Sequence, residues 1–130
     1  MNRRNLLTVV ALAILGLAPI AALAFTKSGF DRAAFDAAQA AGGPIVLHVA
    51  ATWCETCAAQ KAVLDKLEKD HAFKAFTVFT IDFDKEKDVM RSFGAQSRST
   101  LIAFKGKTEV GRLVGSAKEA SIKALLEKAL

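Results

Sequence analysis

The sequence contains only two cysteines and two histidines among its 130 residues, so it is poor in the thiol and imidazole side chains that bind zinc and iron–sulfur clusters. Both cysteines belong to one C-x-x-C pair, Cys54 and Cys57, and no second pair exists. The only histidines are His48 and His71. A structural zinc or iron–sulfur site usually takes four ligands, so the pair supplies half of one.

Internal repeats, low-complexity tracts and linkers rich in proline or glycine are also missing, and the chain has two prolines in all. Composition therefore offers no point at which to divide the chain, and its length is ordinary for one domain. A block of one charge is missing too, since 18 Lys and Arg residues are interspersed with 13 Asp and Glu residues. We therefore expect no nucleic-acid partner.

The first 24 residues have the pattern of an export signal. Arg3-Arg4 form a basic start, residues 6–17 an apolar core, and Ala22-Leu23-Ala24 a small-residue cleavage site. We predict a signal peptide at 1–24 and a single domain at 25–130, periplasmic or otherwise exported. Because the leader holds two of the 18 basic residues and no acid, the mature net charge is +3. The short apolar core and Pro19 argue against a membrane-spanning helix in the leader. We expect no stable membrane span after cleavage, and an uncleaved anchor is the alternative.

The segment Trp53-Cys54-Glu55-Thr56-Cys57 is the strongest functional signal. An apolar run at residues 44–50 predicts a buried strand before it, and apolar spacing over residues 58–70 predicts a helix after it. Unpaired N–H groups and the dipole at a helix N-terminus stabilise a thiolate. We therefore predict that Cys54 is the attacking sulfur and that Cys57, one turn inside the helix, is the resolving one.

Two other interpretations of the pair are open. A structural disulfide would close so short a loop that it stabilises the fold by only roughly 2 kcal/mol on a chain-entropy estimate. Half of a metal site would need further ligands from a partner, a second subunit or a small thiol. Export favours the redox interpretation, because disulfides persist outside the cytosol and thiol relays operate there.

The remaining hydrophobic pattern alternates between helices and strands. It predicts an α/β fold with a central mixed sheet of about four strands flanked by helices. The predicted helices are residues 30–41, 58–70, 85–93 and 118–130, and the predicted strands are residues 44–50, 75–82, 101–104 and 109–114.

Joined to the W-C-x-x-C motif, this order resembles the thioredoxin family from about residue 30 to residue 130. Further marks are Asp82-Phe83-Asp84, Phe93-Gly94, the strand at 100–104 and Gly115. The resemblance implies a thioredoxin-like fold and a thiol–disulfide oxidoreductase without an organic cofactor. Its substrates would be protein or small-molecule disulfides and thiols, and an unidentified redox partner would restore the dithiol.

One family feature is missing beside the motif. Thioredoxins usually carry a cis-proline before a threonine, and Ser99 precedes Thr100 here. Because a cis bond before a non-proline residue costs ~2.5–4 kcal/mol, we expect a trans Arg98-Ser99 peptide and a differently shaped loop. By family analogy Trp53, Ser99 and Thr100 form the substrate-docking surface. Loss of the proline also keeps the alternative of a metal- or cluster-binding protein open.

Two more positions bear on proton and electron transfer. His48 stands where thioredoxins carry a buried carboxylate, so it is a possible proton acceptor, with a neutral packing role as the alternative. Thr80 replaces the family's associated lysine. The charge of Glu55 opposes a thiolate on Cys54. We therefore expect a reduction potential closer to the thioredoxin value of about −270 mV than to the strong-oxidant value of about −120 mV.

Overall fold

Five strands and four α-helices follow one another in residues 25–130, the part of the chain that the computed structural model describes. The proposed leader at 1–24 lies outside these residues. The elements in chain order are β1 (Thr26–Gly29), α1 (Arg32–Ala40), β2 (Pro44–Ala50), α2 (Glu55–Leu67), a 3₁₀ turn (His71–Phe73), β3 (Thr77–Asp82), α3 (Lys87–Ser92), β4 (Thr100–Lys105), β5 (Thr108–Val114) and α4 (Glu119–Glu127).

The strands form one mixed sheet in the order β1-β3-β2-β4-β5. Strand β3 is parallel to β1 and to β2, whereas β4 is antiparallel to both β2 and β5. The predicted α/β class with a mixed sheet flanked by helices is therefore confirmed. Within residues 25–130, no helix combines the length and the apolar character needed to cross a bilayer.

The sheet has five strands rather than about four, because residues 26–29 add β1 at the edge beside β3. All four β1 residues are exposed, so no alternation of apolar and polar side chains marks the strand. Lys27 holds it to the neighbouring helix, since its ammonium lies 2.5 Å from Asp65 and 2.6 Å from Glu68 of α2.

Capping and turn residues explain where the elements begin and end. The side chain of Asp31 accepts a hydrogen bond from the Ala34 N–H at 2.8 Å and so begins α1. Gly106 has a φ of +56° in the β4–β5 hairpin, a conformation that glycine adopts without strain.

Two apolar layers cover the two faces of the sheet. One joins Phe35 of α1 and Met90 of α3 to the sheet, and the other joins Leu64 of α2 and Leu126 of α4 to the opposite face. Side chains along a strand alternate between faces, so His48, two residues after Val46, lies on the α2 side. The fold thereby places His48 under the helix that carries the cysteines.

Candidate active site

Cys54 caps the N-terminus of α2, four residues after β2 ends. Its sulfur accepts a hydrogen bond from the Cys57 N–H at 3.1 Å. The two cysteines form a disulfide, with Cα atoms 5.2 Å apart, and their side chains are 5% and 2% exposed. The predicted strand-to-helix junction is thus where the pair lies, and the positive end of the helix dipole faces the Cys54 sulfur.

Ser99 contacts both sulfurs from the loop before β4. Its hydroxyl oxygen lies 3.1 Å from the Cys54 sulfur and 3.2 Å from the Cys57 sulfur. In residues 25–130 no peptide bond is cis, so the prediction of a trans bond before Ser99 is confirmed. Ser99 has a φ of +58°, and it is the one non-glycine residue in that range with a positive φ.

Thr100 adjoins Ser99 but turns its hydroxyl away from the sulfurs. The hydroxyl donates to the Ser97 carbonyl oxygen at 2.7 Å, and the residue is buried as the first residue of β4. A role for Thr100 in substrate docking stays a prediction, and its side chain is already engaged within the loop.

Trp53 lies at the surface beside the disulfide, with 56% of its area exposed, so it is not a core residue. Its indole N–H donates to Asp84 at 2.8 Å, and its ring meets the Phe83 ring edge-on at 6.2 Å between centroids. The Arg98 guanidinium stands 4.8 Å from the indole centroid, a cation–π distance. These contacts hold the ring in place although it faces water.

A groove of about 300 Å³ runs along this side of the disulfide. We call it the tryptophan groove, and it is lined by Trp53, Cys54, Glu55, Thr56 and Arg98. It combines an apolar wall with one charge of each sign, and it reaches the sulfur predicted to attack. Among the described residues, no carboxylate forms a salt bridge with the Arg98 guanidinium.

His48 is buried beneath the disulfide, where its Nε2 lies 3.0 Å from the Gln60 side-chain oxygen. Burial lowers the pKa of His48 from its ordinary value, and the nearby charge of Lys61 acts in the same direction. The imidazole is therefore neutral at pH 7. Within residues 25–130, no hydrogen bond joins His48 to either sulfur.

A cavity of about 350 Å³ lies between α2 and the sheet and connects His48 to the disulfide. We call it the rear cavity, and its lining includes Lys27, His48, Cys54, Cys57 and Thr80. Thr80 is paired in register with His48 across β2 and β3, as expected for the position of the family's lysine. The proton-acceptor role of His48 stays a prediction, with the rear cavity as the space between acceptor and donor.

Gln60 and Arg98 belong to the site although sequence reasoning did not single them out, and Asp84 was noted only within the family mark Asp82-Phe83-Asp84, with no role at the site. The spacing of Cys57, Gln60 and Leu64 along α2 was a usable signal for Gln60, because positions three and four apart share a helix face. No local pattern predicts that Arg98 and Asp84 contact Trp53, since each reaches it from a different loop. His71, by contrast, is exposed in the 3₁₀ turn.

Among the side chains of residues 25–130, no group of three or more His, Cys, Asp or Glu residues could hold a metal ion. Residues 23–128 match the thioredoxin family model. This chain belongs to the thioredoxin family. Thioredoxin-family proteins are thiol–disulfide oxidoreductases, and the Cys54–Cys57 pair supplies that chemistry here. The metal-binding alternative is not favoured.

Individual relatives agree with this membership. The chain is 34% identical to thioredoxin Asp f 29 of Aspergillus fumigatus over 89 residues, which are 66% of this chain and 81% of that protein. It is 36% identical to thioredoxin-2 of Saccharomyces cerevisiae over 83 residues, covering 63% and 78% of the two chains. The crystal structure of Trxlp from Edwardsiella tarda EIB202 superposes with a TM-score of 0.75 at 32% identity, covering 78% of this thioredoxin-family chain and 98% of that one.

Proposed function

We propose that this thioredoxin-family protein is an exported thiol–disulfide oxidoreductase that reduces disulfides rather than acting as a strong oxidase. The observation that carries the proposal is the position of Cys54, which caps α2 immediately before Glu55. The helix terminus favours a thiolate there, whereas the neighbouring carboxylate opposes it. Strong oxidants gain their power by stabilising the reduced thiolate form, so the carboxylate favours a more reducing pair.

The reaction proceeds by two exchanges. The Cys54 thiolate attacks a substrate disulfide, forms a mixed disulfide and releases one substrate thiolate, which takes up a proton. Cys57 then loses its proton and attacks the Cys54 sulfur, which releases the second substrate thiol and closes the Cys54–Cys57 disulfide. Two electrons pass from the protein to the substrate, and a redox partner returns them.

The tryptophan groove supports a protein substrate. Its apolar wall, formed by the exposed Trp53 ring, suits an apolar segment beside the target disulfide. Arg98, which has no carboxylate partner in the described chain, would attract an acidic group on the same segment. Small disulfides could reach Cys54 by the same route, with less contact.

Export rests on the leader pattern alone. A signal peptide at 1–24 would release a single mature domain, 25–130, into the periplasm or an equivalent exported compartment. Expressing the full chain in a bacterial host and determining the N-terminus of the periplasmic product tests this. Product that begins at Phe25 supports the proposal, and product that stays cytosolic with Met1 intact contradicts it.

Insulin-disulfide reduction with dithiothreitol tests the activity. Residues 25–130 should accelerate insulin precipitation, and Cys54→Ser should reduce the rate to that of dithiothreitol alone. Cys57→Ser is the matched variant, because it keeps the attacking sulfur but should accumulate mixed disulfide instead of turning over. Equilibration with a glutathione series gives the potential, and a value near that of strong oxidants, about −120 mV, would contradict the reductase assignment.

A further inference from the structure

The Ser99 hydroxyl is placed to bond with both reacting sulfurs. It is 3.1 Å from the Cys54 sulfur and 3.2 Å from the Cys57 sulfur, and the residue is only 4% exposed. A sulfur in a disulfide carries no hydrogen, so in this oxidised form the hydroxyl is the donor. A hydroxyl has one proton to donate, and rotation about one bond directs it at either sulfur.

The backbone holds Ser99 in this position from both sides. Its N–H donates to the Val49 carbonyl oxygen at 2.8 Å, at the end of β2. Its carbonyl oxygen accepts from the Gly115 N–H and from the Gln60 side-chain nitrogen, each at 2.9 Å. Three hydrogen bonds therefore fix a residue whose positive φ is unfavourable for a non-glycine side chain.

A proline could not take this conformation. Its ring holds φ near −65°, far from the +58° of Ser99, and it has no N–H for Val49. It would also lack the hydroxyl. The exchange of the family's proline for Ser99 thus changes the chemistry at the sulfurs as well as the shape of the loop.

We propose that the Ser99 hydroxyl is a catalytic hydrogen-bond donor that stabilises the two thiolates in turn, first that of Cys54 and then that of Cys57. This rests on the dithiol chemistry proposed above. Hydrogen bonds to an ionised group are about twice as strong as those between neutral groups, so the hydroxyl favours each thiolate over its thiol.

The hydroxyl changes partner as the reaction advances. In the dithiol form it donates to the Cys54 thiolate, which attacks the substrate disulfide and expels one substrate thiolate. Once the Cys54 sulfur is in the mixed disulfide it no longer carries charge. The hydroxyl then donates to the Cys57 sulfur as the Cys57 thiol proton leaves through the rear cavity, where His48 is the predicted acceptor. Cys57 then displaces the second substrate thiolate. Ser99 itself keeps its proton throughout, so no atom is consumed.

Stopped-flow reaction of the reduced protein with 5,5′-dithiobis(2-nitrobenzoate) separates the two steps. The first release of nitrothiobenzoate reports attack by Cys54, and the second reports displacement by Cys57. Each rate is measured against pH in the wild type and in three variants. Ser99→Ala and Ser99→Gly both remove the hydroxyl, but only glycine favours the positive φ. The control Ser97→Ala removes a hydroxyl of the same loop that contacts neither sulfur.

We expect both Ser99 variants to shift the pH midpoints of both phases upward by about one to two units, and Ser97→Ala to shift neither. Well above the midpoint each Ser99 variant should react about three- to tenfold faster than wild type, because a more basic thiolate is the better nucleophile. A damaged fold would not give rates that are lower at neutral pH and higher at alkaline pH.

Unchanged midpoints in both Ser99 variants would overturn the proposal. A shift in Ser99→Ala but not in Ser99→Gly would also overturn it, because backbone strain and not the hydroxyl would be the cause. A shift confined to the first phase would contradict donation to Cys57. These stopped-flow measurements do not depend on insulin reduction. A wild type that shows both phases but does not reduce insulin would contradict the proposed reductase function, and the Ser99 proposal would still be decided by the midpoints.

Discussion

The side-chain oxygen of Gln60 accepts a hydrogen bond from Nε2 of His48, across 3.0 Å between two buried residues. The direction of this hydrogen bond follows from the partners of the Gln60 side-chain nitrogen. The Gln60 nitrogen donates to the Ser99 and Ser116 carbonyl oxygens, each at 2.9 Å, and carbonyls can only accept. The oxygen therefore faces His48, whose Nε2 must carry hydrogen. The neutral imidazole then has its acceptor nitrogen at Nδ1.

Gln60→Leu removes all three of these hydrogen bonds while keeping an apolar side chain on the buried face of α2. We expect it to lower the free energy of unfolding by about 2–4 kcal/mol, because His48 Nε2 and the Ser116 carbonyl lose their partner. Urea denaturation measures the change. The control is Gln96→Leu at an exposed position, with an expected change within about 0.5 kcal/mol. Equal effects of the two substitutions would contradict the role given to Gln60.

His48 should make the fold less stable in mild acid. Its pKa is lowered in the folded protein by burial, so below about pH 6.5 the unfolded chain binds the proton more readily. The stability that the neutral imidazole contributes is present above that pH and is lost as pH falls. We expect the free energy of unfolding to decline from pH 7.5 to pH 5.5 in wild type and to decline less in His48→Gln.

The matched control for this effect is His71→Gln, which removes the other histidine at an exposed site. It should leave the pH dependence of the unfolding free energy as in wild type. If the free energy of unfolding had the same pH dependence in both variants, the role given to His48 would be contradicted.

Glu55→Gln tests the electrostatic argument for a reducing dithiol. Removing the charge beside Cys54 should stabilise its thiolate and raise the reduction potential by about 10–20 mV. A charge at a helix terminus typically contributes about 0.3–1 kcal/mol, which corresponds to that range for a two-electron couple. Glutathione equilibration provides the measurement. The control is Glu127→Gln near the end of α4, at an exposed position, which should leave the potential unchanged. A lowered potential in Glu55→Gln would contradict the argument that the Glu55 charge opposes the Cys54 thiolate.

Trp53→Ala tests the tryptophan groove as a docking surface for proteins. A large aromatic residue at an interface commonly contributes enough binding energy that kcat/KM for insulin should fall about tenfold. The rate with a small aromatic disulfide should change less, since it contacts less of the groove. Leu130→Ala, which shortens another exposed apolar side chain, is the control for nonspecific loss. Equal losses with both substrates would contradict a docking role.

Local sequence determined the positions of most helices and strands and of the cysteine pair. The spacing of apolar residues placed the four helices and four of the five strands, and the cysteine pair fell at the predicted junction between β2 and α2. Hydrophobic periodicity is a local signal, because burying one face of a helix or strand needs only the right repeat. Exposed β1 carries no such repeat, and it exists because its backbone pairs with β3, about 50 residues later.

Tertiary structure alone decided how the site is completed. Ser99 reaches sulfurs 42 and 45 residues earlier in the chain, and Gln60 joins His48 to the loop of Ser99. The sequence showed that a proline was missing, but it did not show that the substitute hydroxyl would contact both cysteines. These contacts of Ser99 and Gln60 depend on packing between distant segments and on a backbone angle that serine rarely adopts. Neither produces a periodic pattern in the sequence from which it could be predicted.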